Sequence, residues 1–344
     1  MEIFPKTLGS RPRLAVELRS EGVVAARAED ASAVLTAIAE SPLPRRALAI
    51  GLRAGNFSDR ERIITALREV LDKVSGRAGD RNRAVTIVVP DSTARVLLLE
   101  FDTLPAKPAE ALAVVRFRLK KLLPFDSDHA AVSYQIMSSE KNAVRVLAVA
   151  MPSEVLEEYE QAVISAGYLP GAVLPSTLAA LAGLDEQQAP VLVVNAGHGS
   201  ITTAIVNSGI LLLHRTLELA NDLQAIGEPD VLVQSGNGFD RIDAEAVIEA
   251  QVLASAEAAM TAREIAQTVS VAGAYFEDTL AASPETILAA GSLGAEALHG
   301  ILEENGIKGI EVREMIGSEA LGAGASTSLV SRSVLAGVRG ALKN

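Results

Sequence analysis

The chain has 344 residues, room for two domains at about 100–200 residues each, and because 49% are hydrophobic but only 3% aromatic, its interior must be built from Ala, Val, Leu and Ile. It has no cysteine, which removes disulfides and thiolate ligands, and its net charge of −12 removes a general nucleic-acid binder, which needs a basic surface. No stretch reaches the roughly 18 uninterrupted apolar residues of a membrane-spanning helix, and residues 1–20 lack the charged start, apolar run and cleavage site of a signal peptide, so the expected compartment is the cytosol.

After a short N-terminal tail, Leu14–Leu18 and Val23–Ala28 flank a turn at Ser20-Glu21-Gly22 and predict a β-hairpin. Two further apolar runs, Ala33–Ala39 and Ala47–Leu52, surround Pro42 and Pro44. Ser58 followed by Glu61 has the form of a capping box, and Ile63, Ile64, Leu67, Val70, Leu71 and Val74 repeat at helical spacing, so one face of that helix is buried. Beyond Gly76 and Gly79, Val85–Val89 reads as a strand buried on both faces.

From Asp91 the pattern predicts a strand over Arg95–Phe101, a helix from Pro108 to Leu123 ended by Pro124, and strands over Ala131–Met137 and Ala143–Met151. A helix then starts at Pro152, presents Val155, Leu156, Tyr159 and Val163, and stops at Gly167. This β-α-β-β-α block has the make-up of a small separate subdomain. Three strands follow, Val191–Val194, Ile201–Val206 and Ile210–His214, with tight turns at Gly197-His198-Gly199 and Asn207-Ser208-Gly209. A helical stretch runs from Asp243 to Thr279, then a strand over Thr286–Ala290, a helix over Leu293–Glu304 capped by Asn305-Gly306, a short strand over Ile310–Val312, and an amphipathic helix over Leu329–Leu342. A hairpin-led α/β unit therefore occurs twice, near residues 14 and 191, which predicts two related lobes with a cleft between them.

Three stretches carry a family resemblance. Leu122-Leu123-Pro124-Phe125 is followed by Val132-Ser133-Tyr134-Gln135; Val146–Pro152 leads through a helix to Ala166-Gly167-Tyr168; and Val193-Val194-Asn195-Ala196-Gly197 is followed by Thr202-Thr203. In this order and spacing, and across nearly the whole chain, they resemble the PilM and FtsA branch of the actin-like ATPase superfamily. The resemblance implies an α/β fold, actin-like and two-lobed, with ribonuclease H-like duplicated lobes and a small inserted β-α-β-β-α subdomain. It divides the chain into residues 1–91 and 168–189 for the first lobe, 92–167 for the insertion, 190–318 for the second lobe, and 319–344 for a C-terminal helix packing on the first lobe.

The implied cofactor is ATP with Mg²⁺, held at two glycine-bearing turns, and no other. The matching candidates are Glu17, Ser20, Asn195, Gly197, His198, Gly199, Thr202, Gly291 and Ser292. Several depart from the family's pattern. Glu17 stands in the place of an Asp, Arg19 where Gly is expected, Val24 near the place of a Lys, and Glu21 adds a negative charge facing phosphates. Asn195 replaces an Asp, keeping the means to order a metal-bound water but not the charge, and Ala290 replaces one glycine of a Gly-Gly pair, with a methyl group that would crowd a ligand. The competing reading makes these glycines turn geometry alone. His198 faces the cleft turn, whereas His129, His214 and His299 show no metal spacing, so no metal or catalytic residue is assigned. Ser176-Thr177 reads as a helix N-cap, with nucleophiles as the other reading.

The resemblance further implies a partner, the N-terminal cytoplasmic tail of a PilN-like membrane protein, received by the insertion. Candidate contacts are Arg116, Phe117, Lys120, Phe125 and Tyr134. The cationic run Arg116, Arg118, Lys120 and Lys121 reads either as a helix C-terminus favouring positive charge or as a landing site for an acidic tail or anionic lipid. The C-terminal helix invites comparison with a membrane-targeting helix but has Gly337 and Gly340 and no aromatic anchor. The expectation is thus a scaffold of a type IV pilus or related secretion platform, cytoplasmic and at the inner membrane through its partner, leaning away from an enzyme. An active actin-like ATPase or an FtsA-like polymer former is the alternative, and self-association into a homo-oligomer is compatible with either.

Overall fold

The computed structural model describes residues 12–76, 83–184, 189–219, 244–323, 325 and 330–343, with the side chains of the long second-lobe helix described from residue 256 on. Gly79, Asp243, Leu329 and the first eleven residues lie outside the described residues.

In the first lobe, β1 (Leu14–Leu18), β2 (Gly22–Ala28), β3 (Leu35–Pro42), β4 (Ala84–Val89) and β8 (Leu169–Pro175) form one sheet in the order β3-β2-β1-β4-β8, antiparallel from β3 to β1 and parallel from β1 to β8. The second sheet repeats that plan with β9 (Val191–Gly197), β10 (Ser200–Asn207), β11 (Ile210–Glu218), β12 (Thr286–Gly291) and β13 (Glu311–Glu314), ordered β11-β10-β9-β12-β13. The duplication expected from the two hairpins is therefore a duplication of topology.

Alternation along the central strands assigns each residue to one of two cores. Leu14, Val16 and Leu18 of β1 pack with Ile63, Leu67, Val70 and Leu71 of α1 (Arg60–Val74) and with Val155, Tyr159 and Val163 of α3 (Ser153–Ser165). Ala15 faces the other way, among Leu335, Val338, Ala341 and Leu342 at the C-terminus. Likewise Leu192, Val194 and Ala196 of β9 meet Ile265, Val269 and Phe276 of α5 (Ala244–Leu280) and Leu298 and Leu302 of α6 (Ala295–Glu304). Val191 and Val193 meet Leu178 and Leu181 of α4 (Ser176–Ala182). A strand covered on both faces needs a largely apolar run, which β1, β4 and β9 have apart from Glu17, Thr86 and Asn195. The same parity turns Glu17, on the face of Ala15, and Asn195, on the face of Val193, toward α4 and α7 (Ala336–Leu342) between the lobes.

The inserted subdomain has the sheet β5-β7-β6, from β5 (Arg95–Phe101), β6 (Ala130–Glu140) and β7 (Ala143–Pro152), under α2 (Pro108–Leu119). Val144, Val146, Ala148 and Ala150 of β7 pack on Val115 and Leu119 of α2, while Leu147 belongs to a core with Leu178 of α4 and with Val206 and Leu211 of the second lobe. α3, which follows β7, lays its apolar face into the first lobe.

Several local expectations shift. α1 is capped by Asp59, whose side chain accepts the Arg62 N–H at 3.1 Å, rather than by Ser58. α2 ends at Leu119, four residues before the predicted stop, where Lys120 and Lys121 enter a turn. Pro152 closes β7 instead of opening α3. The apolar run Ala47–Leu52 lies in a loop, where Leu48 makes a lone bridge to Phe57 and Asn56 Oδ1 accepts the Gly51 N–H at 2.8 Å. The C-terminal helix is α7 alone, preceded by a tight turn over Ser333–Leu335.

Candidate functional site

The C-terminal ends of the parallel strands in both sheets converge between the lobes, the place where α/β sheets present polar groups to one another. Glu17, Arg19, Ser20 and Glu21 arrive from the end of β1 and its turn, Asp91 from the end of β4, Ser176 from the end of β8, Asn195, Gly197 and His198 from β9, and Gly291 from β12; together they line a cleft whose free interior is about 40 Å³. Room for a few waters, at about 10–15 Å³ each, is all that this offers. Small-molecule pockets are about 300–1,000 Å³.

A buried polar network fills the space. The hairpin turn after β1 closes tightly, Arg19 N–H to Gly22 O at 2.9 Å and Gly22 N–H to Arg19 O at 3.3 Å, and the Arg19 guanidinium folds inward. It pairs with Glu17 at 2.9 Å, donates to the Val334 carbonyl at 2.6 Å, and reaches the Ser292 hydroxyl at 3.5 Å. Burial alone would lower its pKa; Glu17 and Glu21 outweigh that and hold it above its ordinary value. Glu21 in turn accepts the Ser292 hydroxyl, and Ser20 donates to the His198 carbonyl at 3.3 Å, so this turn is bonded across the cleft to both second-lobe turns.

Behind the cleft, Ser176 Oγ donates to Glu17 Oε1 at 2.7 Å, while Thr177 donates to Asp91 through both its hydroxyl and its N–H, the latter at 3.0 Å. Asn195 Nδ2 donates to Ser176 Oγ at 3.0 Å and to Thr177 Oγ1 at 2.9 Å. Thr202 Oγ1 donates to Asp91 Oδ2 at 2.8 Å, which makes the Thr216 hydroxyl, 2.9 Å away, the donor to Thr202. Thr202, Thr177 and Ser176 each accept one hydrogen bond and pass their own proton to a carboxylate, so donors and acceptors are consistent from Thr216 to Arg19. Within the network Glu17 Oε2 and Arg19 Nε lack partners, as does His214 Nε2 beside it on β11. Desolvation keeps the His214 pKa below its ordinary value, although Asp91 pulls it the other way.

Of the sequence-predicted cofactor residues, Glu17, Ser20, Asn195, Gly197, His198 and Gly291 line the cleft. Thr202 lies behind it in the network, Ser292 is bonded to Glu21, and Gly199 is an open turn corner at φ +85°. Gly291, at φ +90°, is demanded by its own sheet, since a Cβ there would collide with Ala196 O and lie 2.6 Å from Asn195 Oδ1. The Ala290 methyl, expected to crowd a ligand, packs instead against Ala180 and Ala336. Ser176 and Thr177, expected as an N-cap, bond the two carboxylates. Asp91 and Thr216 escaped sequence reasoning. The signal available for Asp91 was its position just past a strand buried on both faces.

In the subdomain, Arg116 is turned inward, its guanidinium donating to the carbonyls of Ser127 and of Ala130, the latter at 2.9 Å. Phe125 and Tyr134 pack on the subdomain core, with Tyr134 Oη donating to Pro108 O at 3.3 Å. Lys120 is exposed and pairs with Asp128 at 2.6 Å. Phe117 stands out at 70% exposure, with Leu122 at 50% and Val114 at 36% on the same helix and its following turn.

Among the described residues no cluster of His, Asp and Glu could hold a metal, and no helix is long and apolar enough to cross a membrane. No protein-family model and no curated protein matches the sequence. Among solved structures, the PilM-PilN type IV pilus biogenesis complex is similar at a TM-score of 0.70 and 19% identity, over 96% of this chain and 97% of that one. The ethanolamine utilization protein EutJ from Carboxydothermus hydrogenoformans follows at a TM-score of 0.46 and 13% identity, over 96% and 89%. The duplicated lobes, the inserted subdomain and the near-complete overlap with the first of these structures show that the chain has the actin-like two-lobed fold of that structure.

Proposed function

We propose that the protein is a scaffold of a type IV pilus or related secretion platform at the cytoplasmic face of the inner membrane, binding the N-terminal tail of a PilN-like membrane protein and turning over no nucleotide. The observation that carries this reading is the buried Arg19–Glu17 pair, closed by the Val334 carbonyl, inside the turn where phosphates would lie. A cation at that turn would favour phosphates if its guanidinium were open to them, but Glu17 and Val334 already engage it. Asn195 has both amide hydrogens committed, Glu21 adds like charge, and the interior of about 40 Å³ is far short of a triphosphate's needs. The residues present do not fit ATP and Mg²⁺, and no catalytic step is derived through them.

The similar solved structure is of a PilM protein together with PilN, which supports a tail-binding role for this fold. The surface offered to a tail is Phe117 with Val114, Leu122 and Lys120 around it, an exposed aromatic of the type that anchors interfaces. Calorimetric titration of the whole chain tests both halves. PilN-like N-terminal peptides are expected to bind, with a loss of about tenfold for Phe117→Ser, while ATP with Mg²⁺ gives no heat. Micromolar ATP binding, or no peptide binding, overturns the reading.

A further inference from the structure

A second charged surface lies away from α2. The loop from β3 to α1 carries Arg45, Arg46 and Arg53, and α1 opens with Arg60 and Arg62; residues 43–62 hold these five arginines against two carboxylates, Asp59 and Glu61. On a chain at −12, this segment keeps an excess of positive charge even with Glu158 of α3 bonded into it. Arg45, Arg46, Arg53 and Arg60 are exposed.

The loop that presents them is built rigidly. Leu43, Ala47, Leu48 and Phe57 belong to the first-lobe core. The Ala47 carbonyl accepts the N–H groups of Ser58 at 2.9 Å and Asp59 at 3.1 Å, which sets the Arg45-Arg46 turn beside the start of α1 and Arg60. Asn56, wholly buried, donates to Arg53 O at 2.7 Å and accepts Gly51 N–H at 2.8 Å. Glu158 of α3 accepts three successive N–H groups, from Gly55, Asn56 and Phe57, at 3.2, 3.0 and 3.1 Å. A carboxylate of the protein's own thus fills that nest of amides. The arginines are carried on that tied-down backbone, so no ordering of the loop is needed when they meet a partner.

The chemistry of that partner follows from what the loop lacks. None of the exposed large hydrophobic side chains falls within residues 43–62, so there is no anchor for the side chains of a peptide. The interlobe cleft takes in Ile50 from this loop but none of its arginines, so they do not serve that cleft. Exposed arginines at four positions along a tied-down backbone match a field of phosphodiesters, which a guanidinium group binds in bidentate fashion. We infer that the arginine-bearing loop at residues 43–62 is a docking surface for an anionic phospholipid bilayer. Each cation held at such a surface strengthens binding by about fivefold, so the net charge here makes an orienting contact that acts beside a second anchor and not alone. This contact is separate from the tail surface at Phe117, and either can fail without the other.

Co-sedimentation of the full chain with vesicles at low ionic strength tests it. Binding is expected to phosphatidylglycerol vesicles and not to phosphatidylcholine, with release as salt rises from about 50 to 500 mM. The triple variant Arg46→Glu, Arg53→Glu, Arg60→Glu is expected to lose more than tenfold in binding while keeping its circular dichroism and its affinity for tail peptides. Arg118→Glu with Lys121→Glu, in the other cationic stretch, is expected to bind vesicles as before. Equal sedimentation with both lipids, none with either, or loss confined to the Arg118 and Lys121 variant overturns the inference. Binding of polyglutamate with the same arginine dependence, without vesicle binding, overturns it in favour of an acidic polypeptide.

Discussion

Asn195 offers its two amide hydrogens to Ser176 and Thr177, and each of those hydroxyls gives its own proton to a carboxylate, Glu17 or Asp91. An aspartate at 195, the residue the family resemblance leads one to expect, would face two hydroxyls with no proton left to give and add a third buried negative charge. Asn195→Asp is therefore expected to destabilise the fold by on the order of 3 kcal/mol, read by chemical denaturation at neutral pH; an unchanged midpoint would mean that the network is not as connected as its distances indicate. The departure from the family's pattern was legible in the sequence. Its reason was not, because Ser176 and Thr177 gain meaning only beside the carboxylates they bond.

Helices α4 and α7 cross where neither has a side chain to spare. A Cβ on Gly340 would sit on the Ala179 carbonyl oxygen, and one on Gly337 would strike the Glu17 carboxylate. Both obstacles are fixed, one by backbone and one by the buried network, so these helices approach closely only because both positions are glycine. Gly340→Ala is expected to cost about 1–3 kcal/mol by overpacking. Gly300→Ala, on α6 with open space around it, is expected to stabilise by about 0.5–1 kcal/mol as an ordinary helix glycine replaced. Thermal midpoints of the two variants moving in the same direction would contradict this account. From sequence, Gly337 and Gly340 count against a membrane-targeting helix; the structure makes them the helix's contact surface.

At the scale of the whole molecule, Asp91 accepts from Thr177 behind the first lobe and from Thr202 of the second, with His214 enclosed nearby. Because the folded protein holds His214 below its ordinary pKa of about 6.5, the unfolded chain takes up that proton more readily. Stability contributed by neutral His214 is thus full above about pH 6.5 and lost as pH falls below it. The exposed carboxylates Asp30, Glu69, Asp128 and Glu311, whose pKa values are lowered, lose their contributions only nearer pH 4. Denaturation midpoints are expected to fall between about pH 7 and 5, and less steeply in His214→Asn; equal slopes would place the pH dependence elsewhere.

The strands, their two-sided burial and the repeat of a hairpin-led unit were determined by the sequence alone, since alternation and apolar runs are relations among near neighbours. The candidate cleft residues at Glu17, Asn195 and Gly291 were legible for the same reason, as the ends of those strands. What only the tertiary structure decided is which polar groups meet there: Ser176 and Glu17 are 159 residues apart, Thr202 and Asp91 are 111 apart, and Arg19 reaches Val334 across 315. A buried polar group takes its partner from whatever packing brings near, and no local pattern records that choice.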